Sequence, residues 1–596
     1  MLENLNPVWN LETIFPGGSS SPELKEEMEK LAAELKQFDQ GLNKNPPLSL
    51  EDWLECLNQV QAIGARLREA GAFLGCLNAA NTNDIQAQML SGAFFPIFAG
   101  FDQIRTKIMV FLSQMDQEAF NNLIAAPQLQ EYNFVIKEMR SLSKQRLPLE
   151  QEQLISNLSI NGLNAWGTLY QRLVSRVKIE LVEKDGSISE LSAGQAYNRL
   201  SDPDRSIREQ LMPKWEEAWS DLAEIAAHEL NSLIGFRLEV YKARGWSDPL
   251  TQALQQNRIE RKTIETMWST IDKNKDALLD YLNAKKKLLG VEELSWHDFS
   301  APVGNQDEAW TYTQGANFII EQFQRFSPKM AEFAQHAFEN RWVEAENRSG
   351  KGVGAFCTTL PVSKETRIFT TFSGTINNVT TLAHELGHGF HAYAMKDMSL
   401  INQEIGMCLA ETASTFSELV VSDAAIKSAQ NDQEKLSLLE DKMQRAANHM
   451  MNIHSRFIFE TNYYAARQKA PLSLQQINEM MVEAQKEAYC DALGEWHPTF
   501  WFSKGHFHGT SVPFYNFPYT FGFLFATGVY AKAQEMGDDF EDMYVELLQN
   551  TGVMTVEELA KAYLDVDLRE EEFWQRAIDL ALNDLDEYLR LAEKFS

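Results

Sequence analysis

The chain has 596 residues, 44% of them hydrophobic and 23% charged, a balance that excludes wholesale disorder and leaves material for a large buried core. Acidic residues outnumber basic ones to give a formal net charge of −30, a field that repels nucleic acid and anionic membrane surfaces. Only 31 glycines and 18 prolines interrupt it, few for this length, so helix is expected to dominate.

Residues 1–19 read as an extended lead-in ending in Pro-Gly-Gly-Ser. A helix is predicted to start at SSPE, where Ser20 and Glu23 have capping-box spacing and Pro22 suits a first turn. Leu24, Met28, Leu31 and Leu35 share one stripe of it. Two further long helices are predicted between Ser49 and Met115, turning at ANTND (80–84). KIELVEKDGSISEL (178–191) alternates apolar residues around Asp185-Gly186, which predicts a β-hairpin and a domain boundary beside it, dividing 1–195 from 196–596. Helices resume after SDPDR (201–205). AENRSGKGVGAF (345–356) is a Gly-rich loop without a phosphate-loop pattern, and TRIFTTF (366–372) reads as a strand. From Asn377 onward the pattern is helical, interrupted around 495–520. The apolar stretches 92–101 and 521–531 are too short to span a bilayer, and no basic-then-apolar leader opens the chain. The five cysteines show no CxxC spacing. The expectation is a cytoplasmic, mostly α protein that binds neither nucleic acid nor membrane.

TTLAHELGHGFHAY (380–393) contains HExxH as His384, Glu385 and His388. Helix positions i and i+4 share a face, so both imidazoles can reach one metal ion, and neutral imidazole suits Zn²⁺. Glu385, beside the first ligand, is placed to act as general base on a water. Gly387 and Gly389 each weaken this helix by ~1 kcal/mol relative to Ala, so a close approach by another element is expected at them. A catalytic zinc takes three protein ligands. The metzincin pattern needs Gly at 391 and His at 394, and His391 and Ala394 exclude it. Downstream, EIGMCLAETASTFSELV (404–420) reads as another helix with Glu404, Glu411 and Glu418. Glu411 and Glu418 are seven apart on one face, and spacing alone leaves the third ligand open between them.

HELGHGFH followed by LAETASTFSE resembles the thimet oligopeptidase and oligoendopeptidase F family of zinc metallopeptidases. GAFCTTLP (354–361) and RIFTTFSGT (367–375) resemble its oligoendopeptidase F branch, and the likeness extends over most of the chain. The resemblance implies Glu411 as third ligand to one zinc per chain, with Glu418 orienting a ligand imidazole. It implies a helical shell around a deep channel, with 1–195 forming part of the wall and 196–596 the catalytic domain, and a small β-sheet element beside the zinc helix. The strand near 367–373 is expected to offer an edge to which a peptide adds.

GHFHGTSVPFYNFPYTFG (505–522) is the second constellation. The oligoendopeptidase F branch carries a His followed by Tyr at +7 and +11, which His508, Tyr515 and Tyr519 match. Phenol and imidazole donors of this kind stabilise a developing oxyanion. Asn516 departs from the second tyrosine often found there, and His506 is a further candidate ranked below His508. Gly505 and Gly509 are expected to let the segment move. The expected function is zinc-dependent hydrolysis of internal bonds in short to medium oligopeptides. The alternatives are a helical zinc carboxypeptidase and an inactive metal-binding peptide scaffold.

Overall fold

A computed structural model of the chain describes residues 2–304 and 310–596. The first helix, α1 (Pro22–Lys44), is capped by Ser21 and not by Ser20: Ser21 Oγ accepts from the Leu24 N–H at 3.3 Å. Proline sets this boundary, because at the first helical position its missing N–H leaves nothing unsatisfied. Ser49 with Asp52 caps α2 (Leu50–Ala80), Asp84 caps α3 (Ile85–Gln114), and the turn between them falls at the predicted place. Leu24, Leu31, Trp53, Leu67, Phe73, Phe101, Ile104 and Leu112 join one apolar core. Each such fully buried side chain contributes about 1.5–3 kcal/mol.

The predicted hairpin is present as β1 (Lys178–Val182) and β2 (Ile188–Ser192), antiparallel, in register from Lys178 opposite Ser192 to Val182 opposite Ile188. Gly186 has φ +83°, a conformation a side chain would resist. The hairpin packs on α4 (Arg205–Ala243), and the Val182 N–H donates to Gln210 of that helix.

A three-stranded sheet runs in the order β3 (Val343–Glu344), β5 (Glu365–Phe369), β4 (Phe356–Leu360). β5 pairs parallel with β3 and antiparallel with β4. This corrects one expectation: the strand expected to offer a free edge is the central one. Thr366, Arg367, Ile368 and Phe369 are all buried, as a strand covered on both faces requires. Beyond it, the N–H groups of Thr370 and Phe372 donate to Glu344 and Ala345, continuing the β3 side.

Next comes α5 (Ile376–Ala394), capped by Thr375 and Asn378 and packed on β4 and β5. The helix expected over 404–420 is broken. Glu404 precedes it, Met407–Ala410 forms one turn, and Glu411 stands at a junction (φ −89°, ψ 4°) before α6 (Thr412–Ser428). The later helices include α7 (Ile453–Arg467) and α8 (Phe517–Met536), with the predicted interruption between residues 490 and 516.

The chain forms two compact units, each made of three stretches: 1–146, 307–424 and 529–565 in one, 147–306, 425–528 and 566–596 in the other. The hairpin and the 195/196 position both lie in the second unit. Among the described residues no helix is long and apolar enough to cross a membrane.

Candidate active site

In the first unit, the 3.6-residue repeat of α5 puts His384 and His388 on one face, with ring centroids 4.9 Å apart and planes at 83°. The Glu411 junction turns its carboxylate toward both: Oε2 lies 3.3 Å from His384 Nε2 and 3.3 Å from His388 Nε2. Ser414 Oγ donates to the same Oε2 at 2.8 Å and holds it there. Glu418, one turn further along α6 than Ser414, meets the other ring nitrogen of His384, with 3.3 Å between Oε2 and Nδ1.

The two helices can approach because of Gly387. A Cβ there would lie 2.4 Å from the Ala413 carbonyl oxygen and 2.6 Å from Ser414 Cα. At Gly389 a Cβ would lie 2.7 Å from the Phe333 ring. The close approach expected at both glycines is therefore present, and the one at Gly387 brings the start of α6, with Glu411, beside the histidines.

His384, His388 and Glu411 each offer one atom, all within 4.8 Å of one another. Two ligands of a tetrahedral zinc, bonded at about 2.0–2.1 Å, sit about 3.3–3.4 Å apart, so the donor set and its spacing fit that ion. The electrostatics agree. Burial opposes charge on His384, yet the Glu411 and Glu418 carboxylates outweigh it and raise its pKa to about 10. Burial likewise pushes Glu411 up, but the two imidazoles hold it well below the usual carboxylate range. The Glu411 and Glu418 carboxylates give the pocket negative charge, which a divalent cation would offset.

Glu385 is only 5% exposed, and its Oε2 has no hydrogen-bond partner among the described residues. Burial raises its pKa against the pull of His384 and His388. His391 lies on the same helix but its Nε2 bonds Thr551 Oγ1 at 2.9 Å, away from the cluster.

The second constellation lies in the second unit. His508 is buried, stacked on Tyr170 with 3.9 Å between centroids. Its Nδ1 lies 2.6 Å from Glu229 Oε2 and its Nε2 3.2 Å from the Trp501 carbonyl, so both nitrogens are engaged. The imidazole beside the tyrosines is instead His506, whose ring centre is 5.1 Å from Tyr515 and 5.8 Å from Tyr519. The two tyrosines are 5.8 Å apart. All three are half-buried. The cause is local: Gly505–His508 is a 3₁₀ turn, in which residues two apart point about 120° away from each other. Gly509 is held, its carbonyl accepting from Arg237. Phe514, at φ +53°, donates its N–H to the buried Glu460 at 2.8 Å, which fixes the backbone just before Tyr515.

Residues 199–580 match the model of peptidase family M3, and residues 112–178 match that of oligopeptidase F. The chain belongs to peptidase family M3. This M3 peptidase is 21% identical to an oligoendopeptidase F homolog of Lactococcus lactis subsp. lactis (strain IL1403), over 100% of its own length and 99% of the relative's. It is 20% identical to oligopeptidase PepF of Bacillus subtilis (strain 168), over 98% of its length and 87% of the relative's. Its fold is that of the oligoendopeptidase-F from Enterococcus faecium (TM-score 0.71, 19% identity, 96% and 99% of the two chains). PZ peptidase A, solved with an inhibitor, is similar to the same degree (TM-score 0.72, 17% identity, 94% and 97%).

Two residues that hold candidate groups in place escaped the sequence reading. Ser414 and Glu460 carry no motif of their own, because a residue that acts by holding another is recognisable only once the two are neighbours. His506 was visible but ranked below His508 on spacing to the tyrosines, and spacing is a poor guide outside regular helix.

Proposed function

We propose that the chain is a zinc-dependent endopeptidase that cleaves internal bonds of short to medium oligopeptides. The observation carrying this reading is the Glu411 carboxylate oxygen 3.3 Å from each of two imidazoles, with the unpartnered oxygen of Glu385 on the same helix as those imidazoles. His384, His388 and Glu411 would hold the zinc. When bound, zinc polarises the scissile carbonyl and lowers the pKa of the attacking water. Glu385 takes the proton from that water and returns it to the leaving amine nitrogen. Its burial raises its pKa, which strengthens it as a base for the first of these steps. Glu418 keeps His384 Nδ1 engaged and so aims Nε2 at the cluster.

Tyr515 and Tyr519 are proposed to donate O–H bonds to the carbonyl oxygen as negative charge builds on it. His508, the third donor expected, gives up that place to the surroundings of His506, because both its nitrogens are spent inside the second unit. The acidic surface favours cationic peptides in the encounter. Five cysteines without CxxC spacing fit a reducing cytoplasm.

The test is digestion of a mixed peptide library, read by mass spectrometry, before chelation, after it, and after zinc is restored. Internal cuts that vanish with chelator and return with zinc are expected. Single residues released from C-termini would make the enzyme a carboxypeptidase, and full activity in metal-free protein would overturn the reading.

A further inference from the structure

Arg456 on α7 is buried, and no carboxylate lies within ion-pair distance of it among the described residues. A buried guanidinium without an acid is costly, and here its two terminal nitrogens donate to two amide oxygens while its Nε has no partner among the described residues. Nη2 donates to Asn452 Oδ1, and Nη1 to Asn516 Oδ1 at 3.3 Å. Asn516 is buried as well, and its Oδ1 also lies 2.8 Å from His506 Nδ1, while its Nδ2 has no partner.

These contacts determine where the protons are. A guanidinium only donates, so the oxygen of the Asn516 amide, and not its NH₂, must face Arg456. That oxygen is then an acceptor toward His506, so Nδ1 of His506 carries the hydrogen. In the neutral ring Nε2 is left with a lone pair, and among the described residues it makes no hydrogen bond. Burial keeps the ring neutral, and Arg456 and Lys504 reinforce it, together outweighing the Asn516 bond and lowering the pKa to about 4. The groups facing the ring are those two cations and the phenols of Tyr515 and Tyr519.

We propose that Asn516, keyed by Arg456, is a positioning residue that makes His506 a hydrogen-bond acceptor beside the two tyrosines, where its Nε2 takes a backbone N–H of the bound peptide. The cluster then divides the work: phenol O–H groups serve the substrate's carbonyl oxygen, and the imidazole serves its amide. The inference rests on the reading of Tyr515 and Tyr519 given above. It also gives a purpose to asparagine where the family resemblance expects a second tyrosine.

Two measurements test it. In protein labelled with ¹⁵N-histidine, the resonances lost in His506→Ala identify His506, and at neutral pH they should show a protonated Nδ1 and a bare Nε2. A proton on Nε2 would overturn the proposal. Kinetically, Asn516→Asp keeps the acceptor oxygen but adds a negative charge, which raises an imidazole pKa by about 1–3 units. Only the neutral ring accepts, so the acid limb of the kcat/KM profile should move up in pH by a similar amount. A merely structural role would leave that limb in place, and an unmoved limb in folded Asn516→Asp would sink the idea. Tyr515→Phe separates the two levels of argument. If it turns over normally, the tyrosine reading fails. If it is slow while the Asn516→Asp limb stays put, only the positioning role fails. The tautomer measurement uses the parent protein and so decides the question even if a variant does not fold.

Discussion

The His384, His388 and Glu411 cluster and the Gly505–Tyr519 segment both present imidazoles, yet different forces place them. His384 and His388 are set by four residues of helix, and Glu411 by a junction that one glycine lets approach. His508 is set by Glu229, 279 positions away in the chain, and His506 by an asparagine and a buried arginine. Spacing along a helix converts directly into geometry. Spacing along an irregular segment does not, because each residue there turns toward whichever partner satisfies it.

That contrast can be broken experimentally, beginning with the largest effect. His384→Ala or His388→Ala should abolish both metal content and hydrolysis, measured by atomic absorption and peptide turnover. A folded variant that keeps both would mean that helical spacing misled. Glu385→Gln should retain zinc and lose about 10²–10⁴-fold in kcat, the usual contribution of a positioned proton carrier. Loss of metal in that variant would make Glu385 a ligand instead.

The third prediction sets the two histidine neighbourhoods against each other. Tyr515→Phe should keep its stability and lose about 10²–10³-fold in kcat with little change in KM. His508→Ala should do the reverse. It leaves the buried Glu229 carboxylate without its partner, for a loss of about 3–5 kcal/mol in denaturant unfolding. Its folded fraction should turn over near normally. A stable His508→Ala enzyme with the Tyr515→Phe defect would restore His508 to the donor set.

The smaller effects sharpen the metal side. Glu418→Gln should weaken zinc by about 10–100-fold, as removal of a group that orients a ligand does. Glu411→Gln should weaken it far more, and the opposite ranking would exchange their roles. Gly387→Ala should destabilise the fold by about 1–3 kcal/mol through overpacking against Ala413 and Ser414, and loosen metal with it. Unchanged zinc affinity would show that the contact between α5 and α6 does not set the cluster.

Much of the architecture was legible without coordinates, because local rules act within a few residues. Capping serines, low glycine and proline, and the Asp185-Gly186 turn determined where helices and the hairpin lie, with an error of one residue at Ser21. The HExxH spacing determined that two imidazoles share a face. Tertiary structure decided the rest. It broke the helix at Glu411, so that this carboxylate and not a neighbour faces both imidazoles. It made β5 a central strand, since pairing on both edges depends on Val343 and Phe356, which lie outside the strand's own pattern. It sent His508 into the core and left His506 with the tyrosines. Burying a ring nitrogen requires a partner, and partners such as Glu229 and Asn516 become visible only when the chain has brought them into reach.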